Sequence, residues 1–394
     1  MKKTKAKKIG KPNALLLWTA GLVLIPYYFL RYGMKIDRSG LKGISGPALV
    51  LCPHISGNDH LITAMALYPK RPTYVVSEHF MTRPKLRPYL KLMHVITKKM
   101  YTVDVSAIMN ILKAKRENNI LVLFPEGRLS CFGHSLPVTE GTAELVKKLG
   151  VDVYTITGNG AYLTFPKWSP LSRRGKIYVT TEKLFHKEDI LTLSLEEIRG
   201  KIDASILHDD EKAMEGVTYR CQDMTLGLDG ILYRCPNCMG EGTLKGGNNH
   251  MVCTCGLDVT LDAAYHFDHS SPFPTINAWY FWQESLLDPE ILRLESKVKV
   301  GTPDGNNEMN SDAGQGEISL DKDVFTFRGV VDGKALSFET PTKNIGAFPI
   351  TVGKEFDLYH NGRLYYFYPL PDGRAAVKWV SFMDVLTRYY KEKQ

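Results

Sequence analysis

The chain has 394 residues, more than one hydrophobic core usually organises, so two or three domains are expected. Apolar residues make up 44% and charged residues 23%, with a formal net charge of +8; this is a globular composition and excludes a disordered chain. The seven cysteines are odd in number and unevenly spaced, which argues against a secreted disulfide framework and for reduced thiols with one metal site.

Residues 1–35 read as a basic N-terminus followed by an anchor helix. Lys2, Lys3, Lys5, Lys7, Lys8 and Lys11 precede an uncharged stretch over residues 14–30. As a helix this stretch is about 25 Å long against a hydrocarbon core of about 30 Å. Positive charge at both ends, with Trp18, Tyr27 and Tyr28 suited to an interface, predicts a membrane anchor on the cytoplasmic face. It is either a shallow hairpin or a short span, kinked at Pro26; a buried core helix is the alternative. No small-residue cleavage site follows the run, which argues against a signal peptide. A second basic stretch runs from Lys70 to Lys99, with Glu78 as its only acid. Such a cluster attracts anionic headgroups, phosphorylated ligands or nucleic acid, or is simply a solvated face.

Residues 36–215 form one predicted domain. Ala48 to Cys52, Thr73 to Ser77, Ile120 to Phe124 and Val151 to Thr157 are short, apolar and often β-branched, as strands are. Residues 105–118 and 139–149 read as helices between them, and 193–214 as a charged amphipathic helix closing the domain. The alternation implies an α/β fold with a mostly parallel or mixed sheet flanked by helices.

Two motifs follow strands in this domain. In the first, His54 and Asp59 come just after Pro53. Residues five apart on a regular helix point away from one another. The side chains therefore meet only if His54 lies in the turn and Asp59 in the first helical turn, at the strand-end position where α/β sheets place ligands. There Asp59 accepts from Nδ1–H of His54 and leaves Nε2 as a base; a capping Asp beside a surface His is the plain alternative. In the second motif, Phe124-Pro125-Glu126-Gly127-Arg128, Gly127 permits a tight turn and Arg128 offers a fork of donors suited to phosphate. Glu126 holds that Arg or accepts from an acceptor hydroxyl, or the two form a structural ion pair.

These residues resemble the glycerolipid acyltransferases of the 1-acylglycerol-3-phosphate acyltransferase type, over about residues 14–215. The resemblance implies an O-acyltransferase of phospholipid biosynthesis that moves a fatty acyl group from acyl-CoA or acyl-carrier protein to a lysophospholipid hydroxyl, with 1-acylglycerol-3-phosphate as acceptor. It implies His54 as general base, Asp59 as its orienting partner, and Glu126, Gly127 and Arg128 at the acceptor phosphate. Pro53 stands where the family usually has Asn, and no Thr separates Gly127 from Arg128. Ile96-Thr97-Lys98-Lys99 occupies the region that normally supplies a phosphate-binding Arg, so Lys98 and Lys99 are the substitute. A non-catalytic lipid-binding or scaffold protein retaining the fold is the alternative.

Beyond residue 228 the composition changes. Cys235-Pro-Asn-Cys238 and Cys253-Thr-Cys255 form two knuckles suited to tetrahedral zinc, with His250 as a possible substitute ligand and an iron–sulfur or redox pair as the alternatives. Residues 228–266 resemble a zinc ribbon with a structural metal. The segment is not notably basic, so nucleic acid is not the expected partner. Residues 301–315 read as a flexible loop. Repeated strand signals follow at 317–320, 324–327, 335–338, 356–359 and 364–368, with tight turns at Asp332-Gly333, Asn361-Gly362 and Asp372-Gly373. With a final helix at about 375–391, residues 295–394 resemble a pleckstrin-homology-like β-rich module capped by a helix.

Overall fold

The computed structural model describes residues 8–99 and 104–393. Lys2, Lys3, Lys5 and Lys7 of the basic N-terminus lie outside the described residues. The chain folds as two compact units, one of residues 1–164 with 174–215 and one of residues 165–173 with 216–394.

The first unit contains α1 (Ala14–Tyr32), β1 (Lys35–Ile36), β2 (Ala48–Leu51), α2 (Asp59–Leu67), β3 (Thr73–Ser77), α3 (Arg87–Leu92), β4 (Ile96–Lys98), α4 (Val105–Arg116), β5 (Ile120–Leu123), α5 (Thr142–Leu149), β6 (Asp152–Asn159), α6 (Ala161–Thr164), β7 (Tyr178–Phe185), α7 (Lys187–Thr192), α8 (Leu195–Ile206) and α9 (Asp210–Ala213). Its seven strands form one sheet in the order β1-β7-β6-β2-β5-β3-β4. The strands β6, β2, β5, β3 and β4 run parallel, and β7 pairs antiparallel with β6. All four residues of β2 are buried, as a sheet covered on both faces requires. On one face Leu49, Leu51, Leu121 and Val153 pack with Ile111 of α4, Val146 of α5, and Ile198, Ile202 and Ile206 of α8.

Helix α1 is continuous through Pro26, so it is one helix and not a hairpin. Asn13 caps its start by accepting from Leu16 N–H at 3.0 Å, and Gly33 ends it in a left-handed conformation with φ of 54°. Leu17, Gly21, Tyr28 and Tyr32 are its buried positions. Their spacing of four, seven and four draws one helical stripe. Gly21 admits the ring of Tyr68, since a Cβ there would lie 2.4 Å from it, and the Trp18 indole donates to the Pro69 carbonyl. Leu15, Leu22, Val23, Phe29 and Leu30 remain exposed on the other faces.

The helix expected over 193–214 is two pieces. Ser194 and Glu197 form a capping box at the start of α8. The chain then breaks at Leu207, because the His208 main chain pairs with Ser135, accepting from its N–H at 2.8 Å. Asp209 caps α9 with its side chain.

The second unit contains β8 (Leu244–Gly247), β9 (His250–Cys253), β10 (Asp258–Thr260), α10 (Ile276–Ser285), β11 (Leu294–Pro303), β12 (Met309–Leu320), β13 (Val324–Val331), β14 (Lys334–Pro341), β15 (Ile350–Thr351), β16 (Glu355–His360), β17 (Arg363–Pro369) and α11 (Ala376–Glu392). Strands β8 to β10 form a small antiparallel sheet, and the other seven form an antiparallel sheet in the order β14-β13-β12-β11-β17-β16-β15. This sheet folds back on itself: Phe338 of β14 stacks on His360 of β16 at 4.1 Å between ring centroids. Helix α11 closes it, with Trp379 stacked on Phe356 at 5.5 Å.

Two expectations are corrected here. Residues 301–315 are not a flexible loop but most of the β11–β12 hairpin. Its tip is closed by Asp304 N–H donating to the Glu308 carbonyl at 2.8 Å, and paired main-chain groups outweigh the polar composition. Asp372-Gly373 does not join two strands; Asp372 accepts from Arg374 N–H at 2.9 Å and leads into α11. Asp332-Gly333 and Asn361-Gly362 are the hairpin turns expected, each with positive φ at both residues.

Candidate active site

Strand β2 delivers the chain to Pro53 and His54 at the C-terminal edge of the sheet, and α2 begins at Asp59. His54 Nδ1 lies 3.0 Å from Asp59 Oδ2, and the same oxygen accepts from Ser56 N–H at 2.8 Å. The carboxylate therefore has its orientation set by the helix start as well as by the imidazole. Asp59 is 6% exposed. Burial pushes its carboxyl upward, opposed first by the Ser56 N–H. The His54 side chain keeps 24% of its exposure and stacks on Phe124 at 4.4 Å.

Strand β5, the parallel neighbour of β2, brings in the second motif. Gly127 has φ of +79°, a conformation that favours glycine. Arg128 is 7% exposed. Ser130 N–H donates to the His54 carbonyl at 2.9 Å, so the two motifs share a hydrogen-bonded floor. Glu126 turns its carboxyl onto main chain. It is 3% exposed, with Oε2 accepting from His54 N–H and Oε1 from Leu136 N–H at 2.9 Å. Burial pushes this carboxyl up to about 8, against the pull of those two N–H groups.

Lys98 ends β4. The parallel order β2-β5-β3-β4 puts it on the same edge but three strand spacings, about 14 Å, from β2. Burial lowers the Lys98 ammonium, with Asp104 opposing. Lys99 donates its main-chain N–H to Asp104 at 2.9 Å. The sheet thus places His54, Arg128 and the two lysines along one edge.

A second histidine–carboxylate pair escaped the sequence reading. His208 Nε2 is 2.9 Å from Asp210 Oδ1, and Asp210, with no exposure, also accepts from Gly160 N–H at 2.7 Å and Tyr162 N–H at 2.9 Å. It ties the chain after β6 to the segment beyond the Glu-Gly-Arg turn. No local pattern announces bonds between residues so far apart.

Residues 35–158 match the family model described as Acyltransferase. The strand ends holding His54 and Glu126 both lie inside the matched span. A solved structure, the 1-acyl-sn-glycerophosphate (LPA) acyltransferase PlsC from Thermotoga maritima, is similar at 16% identity with a TM-score of 0.42, covering 51% of this chain and 78% of that one. No curated protein matches the chain in sequence.

The second unit holds a separate cluster. The sulfurs of Cys235, Cys238, Cys253 and Cys255 all lie within 4.8 Å of one another. Cys235 and Cys255 are 3.7 Å apart and Cys238 and Cys253 are 3.8 Å apart. These gaps exceed a disulfide bond of about 2.05 Å. They match the edge of about 3.8 Å that a tetrahedron with 2.3 Å zinc–sulfur bonds requires. Asn237 Nδ2 at 3.4 Å from Cys255 and Thr243 Oγ1 at 3.2 Å from Cys253 supply outer contacts. His250 is not a member: it pairs with Asp258 at 2.7 Å.

Proposed function

We propose that the chain is a membrane-surface O-acyltransferase of phospholipid biosynthesis. It moves a fatty acyl group from an acyl thioester, on CoA or an acyl-carrier protein, to the free hydroxyl of 1-acylglycerol-3-phosphate, giving phosphatidic acid. The observation that carries this reading is the 3.0 Å His54–Asp59 contact beside a Glu-Gly-Arg turn that shares its main-chain hydrogen bonds, inside a matched acyltransferase domain.

Asp59 accepts from Nδ1–H of His54 and holds the tautomer in which Nε2 carries no proton. Nε2 takes the acceptor hydroxyl proton as that oxygen attacks the thioester carbonyl. The tetrahedral intermediate collapses, the carbon–sulfur bond breaks, and the proton passes from the imidazolium to the departing thiolate. General-base assistance of this kind is worth about 10²–10⁴ in rate. Asp59 stabilises the imidazolium between the two transfers. Gly127 and Arg128 engage the acceptor phosphate, and Lys98 and Lys99 add positive charge further along the same edge.

Helix α1 supports work at a bilayer. It is long and apolar enough to cross one. One stripe packs on its own unit while Leu22, Val23, Phe29 and Leu30 are exposed, which favours shallow insertion over a span; we place it on the cytoplasmic face. A lysophospholipid keeps its chain in the membrane, since burial gains about 0.8 kcal/mol per CH₂. For the second unit we propose structural zinc held by Cys235, Cys238, Cys253 and Cys255, which leave no open position for catalysis.

The test is release of free thiol from purified protein given an acyl thioester and lysophosphatidic acid. Wild type releases thiol and His54→Ala does not; equal release by both overturns the reading.

A further inference from the structure

Glu126 carries the strongest departure from what its motif implies. A ligand for an acceptor phosphate needs free donors, whereas a carboxylate is an acceptor and repels phosphate oxygens when ionised. Here both oxygens are turned inward onto main chain, Oε2 to the His54 N–H and Oε1 to the Leu136 N–H. The His54 carbonyl is held on its other side by Ser130 N–H at 2.9 Å. The turn bearing the histidine is therefore gripped at both its N–H and its C=O by residues 126 and 130, which flank Gly127 and Arg128. The tie spans 72 residues of sequence, and at 3% exposure water does not compete for it.

We propose that Glu126 is a positioning residue that locks the His54 turn to the Gly127–Arg128 turn and does not bind the acceptor. The inference rests on the acyltransferase reading for its effect on rate, but its geometry stands on the two main-chain bonds. Displacing a base by about 1 Å costs on the order of 10²-fold in rate. Loss of a positioning contact lowers kcat, whereas loss of an acceptor ligand raises KM.

Two variants test this. Glu126→Gln turns an NH₂ toward one of the two amides, and Glu126→Asp keeps both oxygens but is one methylene short. Each is expected to lower kcat about 10- to 100-fold while acceptor KM stays within about twofold. In hydrogen–deuterium exchange of the full chain, the amides of His54 and Leu136 should lose protection in both. An acceptor KM raised about tenfold with kcat held, or wild-type protection of those amides, overturns the proposal. If His54→Ala retains full thiol release, the acyltransferase reading fails while the exchange result still decides whether Glu126 clamps the turn.

Discussion

His54 Nδ1 lies 3.0 Å from Asp59 Oδ2 across five residues of sequence, a distance no continuous helix permits. The turn after β2 and the first residue of α2 supply it together. Ser56 N–H fixes the same carboxylate oxygen, so the pair is set before any substrate arrives. Replacing Asp59 by Asn keeps the shape but offers an amide where the proposed mechanism needs a carboxylate to stabilise the imidazolium. We expect Asp59→Asn to lower kcat by about 10²–10⁴ with the fold retained by circular dichroism. A kcat within a few-fold of wild type would remove Asp59 from the mechanism.

Arg128 is the residue proposed to engage the acceptor phosphate. Charge-assisted contacts of this sort are worth about 1.5–3 kcal/mol, or roughly 10- to 100-fold in binding. Arg128→Ala should raise acceptor KM by that range while donor KM changes little. Arg128→Lys should recover only part, because a point charge lacks the planar fork. Steady-state kinetics with each substrate varied in turn gives the answer.

Glu126 makes stability depend on pH. Burial raises its carboxyl from 4.5 to about 8, so between those values the folded chain keeps a proton that the unfolded chain has released. The folded state then binds more protons, and this contribution to stability is full below 4.5 and declines as pH rises through about 8. Glu126→Gln cannot ionise. Its melting temperature, measured against wild type from pH 5 to 9, should gain relative to wild type as pH rises; a constant difference would show that Glu126 does not titrate in this range.

The four cysteines should bring one zinc per chain, detected by elemental analysis. Structural zinc contributes apparent binding energies of about 10–16 kcal/mol in isolated fingers, so a chelator or Cys253→Ser should lower the melting temperature of the second unit. Cobalt substitution should give the absorption of thiolate-to-cobalt charge transfer. Protein that carries no metal and melts identically with chelator would refute the site.

Much of the first unit was legible because its signals are local. The apolar runs at 48–51, 73–77 and 120–123 are short and flanked by turn residues, so composition and length alone mark them as strands. The cysteine knuckles were legible for the same reason, since thiols two or three residues apart share one turn. The hairpin at 301–315 was not, because its polar residues form a strand only when β12 finds β11 and β13. The break at Leu207 has no local signal, because Ser135, far away in the chain, makes it. His208 and Asp210 were invisible for a like cause: the three N–H groups that Asp210 accepts lie 47 to 50 residues upstream.

The sequence alone determined the alternating α/β pattern, the identity of the histidine, aspartate and Glu-Gly-Arg residues, the apolar first helix and the grouping of thiols. These follow from short-range stereochemistry, in which neighbours along the chain decide the outcome. Tertiary structure alone decided that Glu126 turns onto the His54 main chain, that Lys98 lies three strands from the dyad, that α1 packs by one stripe, and that His250 stands apart from the sulfurs. Each depends on strand order and on which buried polar group finds a partner, and a buried carboxylate takes whichever donors the fold brings within 3 Å or so, whatever its motif suggests.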